Sequence, residues 1–378
     1  GLVNAQPLVV SYRDGDLALV HNGNITNART LRKQLIDDGA ILQSTIDTEV
    51  IVHLIARSKE PTPELQIREA LMQLSGAYSL LITVGDTLYA ARDPWGFRPL
   101  VLGRRDDGFV LASESCALDI MRADFACEVP AGGLLRIRDG RVEELEPLPS
   151  RGTVAPCVFE LVYFARPDST VWNISVDGAR RAFGRQLACE HPVDADCVFS
   201  VPDSSNAAAL GFSEASGVPL ELGLIRNHYV GRTFIHPTQA GRDFRVRIKY
   251  NPVREVIRGK RVVVVDDSLV RGTTSRGLIS MIREAGATEV HFRVASPPVR
   301  FPCYYGIDLP TREELIGARM SVDEIRDHLG VDSLGYLSQD GMLEALGDYG
   351  PFCHACFSGE YSAPLVDIDA GLGAISHC

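Results

Sequence analysis

The sequence predicts a two-part α/β and α+β protein, with a doubly wound parallel sheet in its second half. Three observations lead there. Arg261–Val265 is a run of β-branched residues without polar alternation, as a strand buried on both faces requires. Cys197–Val201 and Glu289–Ala295 are further strand-like runs, separated from it by helix-sized intervals, and such alternation builds a parallel sheet. The first 148 residues instead mix amphipathic helices with short strands joined by hairpin turns.

The elements follow in chain order. Leu17–Val20 is a strand ending in His21-Asn22-Gly23-Asn24, where Asn-Gly reads as a tight turn. Asn27–Asp38 carries Leu31 and Leu35 at helical spacing, and Asp47–Ser58 carries Val50, Ile51, Leu54 and Ile55. Asp47 suits the N-cap of that second helix. Tyr78–Val84 and Thr87–Ala91 are strands joined by Gly85-Asp86, and Asp139-Gly140 is a similar turn. Glu143–Pro156 is acidic and then proline-rich, which places a linker there and divides the chain into domains 1–148 and 149–378. After Arg261–Val265, Ser275–Ala285 reads as a helix with Gly286 past its end.

The chain has 378 residues, 45% of them hydrophobic and 23% charged, which is enough for two cores in an ordinary globular protein. A net charge of −11 argues against general nucleic-acid binding and gives weight to any local basic cluster. No apolar run reaches membrane-spanning length. The chain opens Gly-Leu-Val-Asn without a methionine or a secretory signal. Nine cysteines, an odd number, fit a reducing cytoplasmic compartment better than a disulfide scaffold.

The richest stretch is Arg261–Thr274. Its strand ends in two carboxylates, Asp266 and Asp267. Ser268, Arg271 and Gly272 make a short loop, and Thr273 and Thr274 lead into the helix. Strand, loop and helix N-terminus cradle an anion, because unpaired amides and the helix dipole converge. The paired carboxylates beside it suit a ribose diol and a divalent cation. No GxxxxGK[ST] and no GxGxxG accompany the strand. Val201-Pro-Asp-Ser-Ser205 follows another strand, where its amides would hold a pyrophosphate and Ser204 would ligate Mg²⁺. Arg226–Phe234 leads into a basic segment with Arg242, Arg245, Arg247 and Lys249, which reads as a mobile loop suited to a polyanion. Cys353-His-Ala-Cys356, with Cys303 and Cys157, offers four thiolates. Their spacing leaves zinc and an iron–sulfur cluster both open.

Arg261–Thr274 resembles the signature of type I phosphoribosyltransferases, which bind 5-phosphoribosyl 1-pyrophosphate. With Val201–Ser205 and Arg226–Phe234 it resembles the amidophosphoribosyltransferase family, and the likeness runs over nearly the whole chain. Ser205 stands where the family has Gly, and Arg226 and His228 stand where it has Lys and Arg. The resemblance implies a Mg²⁺-dependent displacement in which ammonia attacks the anomeric carbon and pyrophosphate leaves. Ser204, Asp266 and Asp267 would serve Mg²⁺ and its substrate, and Ser268–Thr274 the 5-phosphate. Tyr229, Arg232 and the basic loop would close over the pyrophosphate. It further implies a 4Fe-4S cluster on Cys157, Cys303, Cys353 and Cys356, purine nucleotides as inhibitors, and a homo-oligomer.

The first half resembles class II glutamine amidotransferases, whose fold is an αββα sandwich with an N-terminal nucleophile. By that likeness Asn22 and Gly23 form an oxyanion hole and Asp47 binds the glutamine α-amino group. Ala91–Leu100 and Ala112–Ala117 match as well. The family's nucleophile is an N-terminal Cys, and Gly1 is not that residue. The expectation is therefore an incomplete amidotransferase domain that cannot hydrolyse glutamine, with ammonia-dependent transfer retained. A salvage phosphoribosyltransferase would have no use for the amide-transfer motifs. A non-catalytic sensor of the diphosphate sugar would not need the whole set of site residues.

Overall fold

A computed structural model describes residues 2–106, 108–227 and 248–369. Strands β1 (Leu8–Tyr12), β2 (Gly15–Ile25), β3 (Gly76–Val84) and β4 (Thr87–Arg92) lie side by side in an antiparallel sheet. Strands β5 (Val101–Arg105), β6 (Gly108–Ala112) and β7 (Asp124–Glu128) form a second sheet with β5 central. The first sheet is completed by β8 (Leu134–Arg138) and β9 (Arg141–Glu144), next to β4. β2 pairs with β3 from Leu17 opposite Val84 to Ile25 opposite Gly76. This register turns Leu17, Leu19, Leu80 and Ile82 into one core with Leu31, Leu35, Val50, Ile51, Ile55, Ile67 and Leu71. Those last residues lie on helices Ala28–Asp37, Thr48–Arg57 and Pro63–Met72, the first two within a residue of the predicted bounds.

The predicted linker begins too early. Glu143 and Glu144 belong to β9, because the Asp139-Gly140 turn folds them back on Arg136 and Leu135. Leu148 is also buried, and its N–H bonds the Gly132 carbonyl at 2.8 Å.

The second half holds two small antiparallel pairs, β10 (Thr170–Val171) with β11 (Ile174–Ser175) and β13 (Leu224–Arg226) with β14 (Tyr250–Pro252). Its main sheet is parallel, in the order β12 (Cys197–Ser200), β15 (Arg261–Asp266), β16 (Glu289–Val294), β17 (Ser333–Tyr336). Val262 and Val264 join a core with Leu278, Ile282 and Ile325 on one face. Val263 and Val265 join another with Phe183, Leu187 and Phe212 on the other. A two-residue period split between two cores is what a doubly wound sheet demands of its central strand. β17 was not anticipated: Ser-Leu-Gly-Tyr is short and lacks β-branched residues.

The core that takes Val263 also takes Ala77, Trp95 and Phe97 from the first half, so apolar packing is continuous across the two halves. The chain's far end returns to the first sheet as well. Asp367 is buried and accepts the Arg29 and Thr30 N–H groups at 2.7 and 3.1 Å, capping helix Ala28–Asp37 from a distance.

Candidate functional site

The parallel sheet sets two loops together. Ser200 on β12 pairs with Val265 on β15, so the turn after β12 and the loop after β15 leave the same sheet edge. There the Ser204 hydroxyl donates to Asp267 Oδ2 at 2.5 Å, and the Ser268 hydroxyl to Asp267 Oδ1 at 2.6 Å. The Ser205 hydroxyl reaches Asp266 Oδ1 at 3.2 Å and Asp267 Oδ2 at 3.3 Å. The missing glycine at 205 costs the backbone nothing, since Ser205 has φ −92°. Its hydroxyl joins the cluster, a role the sequence reading did not assign.

Burial, above all, holds both carboxyls up. For Asp266 the neighbouring Asp267 charge adds to the rise, whereas hydrogen bonds from Ser204 and Ser268 partly offset it at Asp267. Gly272 has φ +76°, and a Cβ there would fall 2.6 Å from Ile316 Cδ1, so this bend requires glycine. Thr273 and Thr274 open the following helix, Thr273–Glu284, and are exposed. Arg271 points to Glu314, 3.1 Å away on the surface. Arg226 bonds Asp203 of the facing turn at 2.6 Å. Tyr229, Arg232, Arg242, Arg245 and Arg247 lie outside the described residues.

A second site lies on the first sheet. A cavity of about 290 Å³ is lined by Gln6, His21, Asn22, Gly23, Asp47 and Asp308, among others. Asn22 Nδ2 donates to Ser113 Oγ at 3.3 Å. Gly23 has φ +149°, and a side chain there would strike the Ala77 carbonyl oxygen at 2.1 Å. Asp47 does not cap its helix with its side chain, contrary to expectation. Its carboxylate accepts the Ile25 N–H at 2.9 Å and faces His21 Nδ1 at 3.6 Å. Burial, the largest influence on Asp47, would raise its pKa, but His21 and the hydrogen bonds it accepts outweigh that and lower it. Burial likewise opposes the charged form of His21, yet Asp47 and the Ala77 carbonyl together raise it. The sequence offers His21 only as part of an Asn-Gly turn, whereas β2 runs through these residues to Ile25 and stays paired with β3. The signal that could have found it is a titratable residue one step before the Asn-Gly pair, on a strand that ends beside Asp47.

The four cysteines converge. Cys157 and Cys353 sit on adjacent backbone segments, with Val158 N–H on the Cys353 carbonyl and Cys353 N–H on the Pro156 carbonyl. All four are buried and unbonded to one another. Burial raises every thiol pKa, that of Cys353 to about 12, and the Cys356 thiol is raised further by the other three. Beside them Arg98 and Glu160 form a fully buried pair at 3.2 Å. None of the three guanidinium nitrogens of Arg98 has a hydrogen-bond partner.

The fold is that of a class II glutamine amidotransferase domain joined to a type I phosphoribosyltransferase domain. Residues 3–119 match the glutamine amidotransferase domain family. The chain is 49% identical over 374 residues to amidophosphoribosyltransferase 1, chloroplastic, of Arabidopsis thaliana, covering 98% of this chain and 66% of that protein. It is 49% identical over 372 residues to the Bacillus subtilis amidophosphoribosyltransferase, covering 97% of this chain and 78% of that protein. The solved B. subtilis glutamine phosphoribosylpyrophosphate amidotransferase, complexed with ADP and GMP, superposes with a TM-score of 0.91 at 48% identity, covering 97% of this chain and 81% of that one. The chain belongs to the amidophosphoribosyltransferase family. It spans just under two thirds of the length of the two Arabidopsis relatives, 66% and 64%. The expectation of an absent glutaminase half is not supported, because the glutamine domain is matched and its cavity is formed.

Proposed function

We propose that this protein hydrolyses the glutamine amide with one water and transfers the ammonia released to 5-phosphoribosyl 1-pyrophosphate, giving 5-phosphoribosylamine, glutamate and pyrophosphate. The observation that carries this is the bond from Ser204 to Asp267, which joins a pyrophosphate turn to a ribose-phosphate loop at one edge of a parallel sheet. Ligands of open α/β sheets bind at such an edge.

In the amide-transfer cavity, Asn22 and the Gly23 N–H stabilise the oxyanion that forms on the glutamine amide. Asp47, kept ionised beside His21, holds the α-amino group. In the second site, Asp266, Asp267 and Ser204 are an all-oxygen donor set suited to Mg²⁺, and when bound it would neutralise the leaving pyrophosphate. The amides and hydroxyls of Ser268–Thr274 fix the 5-phosphate at the start of the following helix. Arg271 becomes available to the substrate once it leaves Glu314. Tyr229, Arg232 and the basic segment serve as the cover that excludes water. The ADP and GMP bound to the B. subtilis relative support purine nucleotides as regulators here. A division near 148/149, a homo-oligomer and a reducing cytoplasmic setting belong to the same reading.

Cys157, Cys303, Cys353 and Cys356 fit a 4Fe-4S cluster. Among the described residues no three His, Cys, Asp or Glu side chains gather tightly enough to hold one ion. A four-thiolate set suits an iron–sulfur cluster, in which each iron takes one cysteine, with zinc as the alternative occupant. Binding must displace four protons from thiols that burial holds protonated.

The test is pyrophosphate release by the full-length protein, purified anaerobically, with Mg²⁺ and either glutamine or ammonium as nitrogen donor. Release that requires both the diphosphate sugar and a nitrogen donor is expected. Sugar binding without turnover would point to a sensor instead.

A further inference from the structure

Gly23 is wedged between two backbones. On one side lies the Ala77 carbonyl of β3, leaving no room for a side chain. On the other lies Gly306, from the distant half of the chain. Gly306 has φ +98°, and a Cβ there would fall 2.9 Å from both the Cα and the carbonyl carbon of Gly23, with the Gly23 oxygen at 3.2 Å. Backbone thus rests on backbone between the two halves, and Gly306 lines the amide-transfer cavity. Next to it, Asn24 Nδ2 donates to the Tyr304 carbonyl at 2.9 Å.

The segment that carries Gly306 is itself tightly held. The Tyr305 ring stacks on Phe97 with centroids 4.1 Å apart and planes 15° from parallel. Its hydroxyl donates to the Ala363 carbonyl at 2.7 Å and accepts the Ala363 N–H at 2.9 Å. The Tyr305 N–H points to Cys303 Sγ at 3.3 Å. Two residues, Tyr304 and Tyr305, therefore separate a thiol of the four-cysteine site from a contact with the oxyanion strand.

We propose that Gly306 is a positioning residue for amide transfer: anchored through Tyr305 and Cys303, it presses on Gly23 and fixes the direction of that residue's N–H. This rests on the cavity being the glutamine site. A donor that stabilises only the oxyanion acts on the transition state, so disturbing it lowers kcat and leaves substrate binding nearly alone. A sub-ångström to one-ångström shift of such a group costs on the order of tenfold to a hundredfold.

The experiment uses the full-length protein with Gly306→Ala and Tyr305→Phe. Glutamine-dependent kcat and KM, ammonium-dependent turnover, and L-glutamine binding by calorimetry are measured on each. For Gly306→Ala the expected result is a tenfold or larger loss of glutamine-dependent kcat. Glutamine affinity and ammonium-dependent turnover should stay within about twofold. Tyr305→Phe removes the Ala363 anchors without adding an atom and should give a smaller loss of the same kind; it decides the matter if the alanine variant does not fold. Unchanged kcat in these variants overturns the proposal, as does an equal fall in both activities. Wild-type protein that turns over ammonium but binds no glutamine would overturn the reading of the cavity itself, and the proposal with it.

Discussion

Asp266→Asn removes one of two carboxylates that Ser205 holds together. The Ser205 hydroxyl lies 3.2 Å from one and 3.3 Å from the other, which places those two oxygens within 6.5 Å of each other. Two unit charges about 6 Å apart repel by roughly 3 kcal/mol at an effective dielectric near 20. Burial and the Asp267 charge hold Asp266 well above its ordinary 3.8, so the folded chain keeps a proton that the unfolded chain has released. The native state binds more protons across that window. Stability therefore falls as pH rises from 3.8 through the raised value, and stays reduced above it. An asparagine has nothing to titrate, and its oxygen can still accept the Asp267 N–H, now at 3.0 Å, and the Ser205 hydroxyl. The Ser204 and Ser268 hydroxyls on Asp267 offset part of that repulsion in the wild type. The expected gain at pH 8 is thus about 1–2 kcal/mol, or roughly 1–3 °C in melting temperature for a chain of this length. Thermal melts at pH 5 and pH 8, with and without Mg²⁺ and the diphosphate sugar, provide the measurement. Ligand should raise the wild-type midpoint and leave the variant's nearly unmoved, since binding to the native state is what shifts it. A variant less stable than wild type at pH 8 without ligand, or equally stabilised by it, would refute the reasoning.

Three further outcomes are expected. Ser204→Ala should cut turnover tenfold to a hundredfold, the equivalent of losing a hydrogen bond to a charged group worth about 1.5–3 kcal/mol, read as kcat/KM for the diphosphate sugar. Arg98→Met strands Glu160 as a buried carboxylate and should cost about 3–5 kcal/mol in chemical denaturation, whereas the double replacement with Glu160→Gln should recover part of it. Asp47→Asn should weaken glutamine binding and lower the His21 pKa, visible by NMR titration; the wild-type pair stabilises the fold above the lowered Asp47 pKa and below the raised His21 pKa, so its contribution fades as pH falls well under 3.8 or climbs well past 6.5.

Much of the fold was legible because its key segments satisfy local and global demands together. Arg261–Asp266 is β-branched and sits at the centre of the parallel sheet, where both faces are covered. Leu31 and Leu35 keep helical spacing and both reach the core. What sequence could not show depends on neighbours brought from elsewhere. Asp47 looks like a helix cap, but β2 places the Ile25 N–H and His21 within its reach, and they claim the carboxylate. Asp367 caps a helix that starts more than three hundred residues earlier, a contact no local pattern encodes. β17 is recognisable only from its pairing with β16. The candidate site followed the same division: Ser204, Asp266, Asp267 and Ser268 were visible as motifs, whereas Ser205, His21 and Gly306 acquire meaning only when loops meet.

The junction between the halves explains why the chain tolerates so much buried polarity there. Phe97 belongs to the first half, yet it stacks on Tyr305, and its carbonyl accepts the Cys157 N–H at 3.1 Å. The next residue, Arg98, is buried against Glu160 and lies over the Phe164 ring at 4.5 Å. A buried ion pair of this kind contributes little net stability, and well-packed apolar residues would serve as well or better for holding two halves together. Its place beside four thiols is better understood through charge. Four thiolates would carry a large negative charge into a buried site. Arg98 is positioned to oppose it, and its charge already lowers the thiol pKa of Cys157 and Cys303 against the larger effect of burial. The same few residues thus join the halves, pack beside the four thiols, and hold Gly306 against Gly23. A single packed junction accounts for all three, so damage to the four-cysteine site should be felt at the cavity lined by His21, Gly23 and Asp47 through contacts only a few residues long.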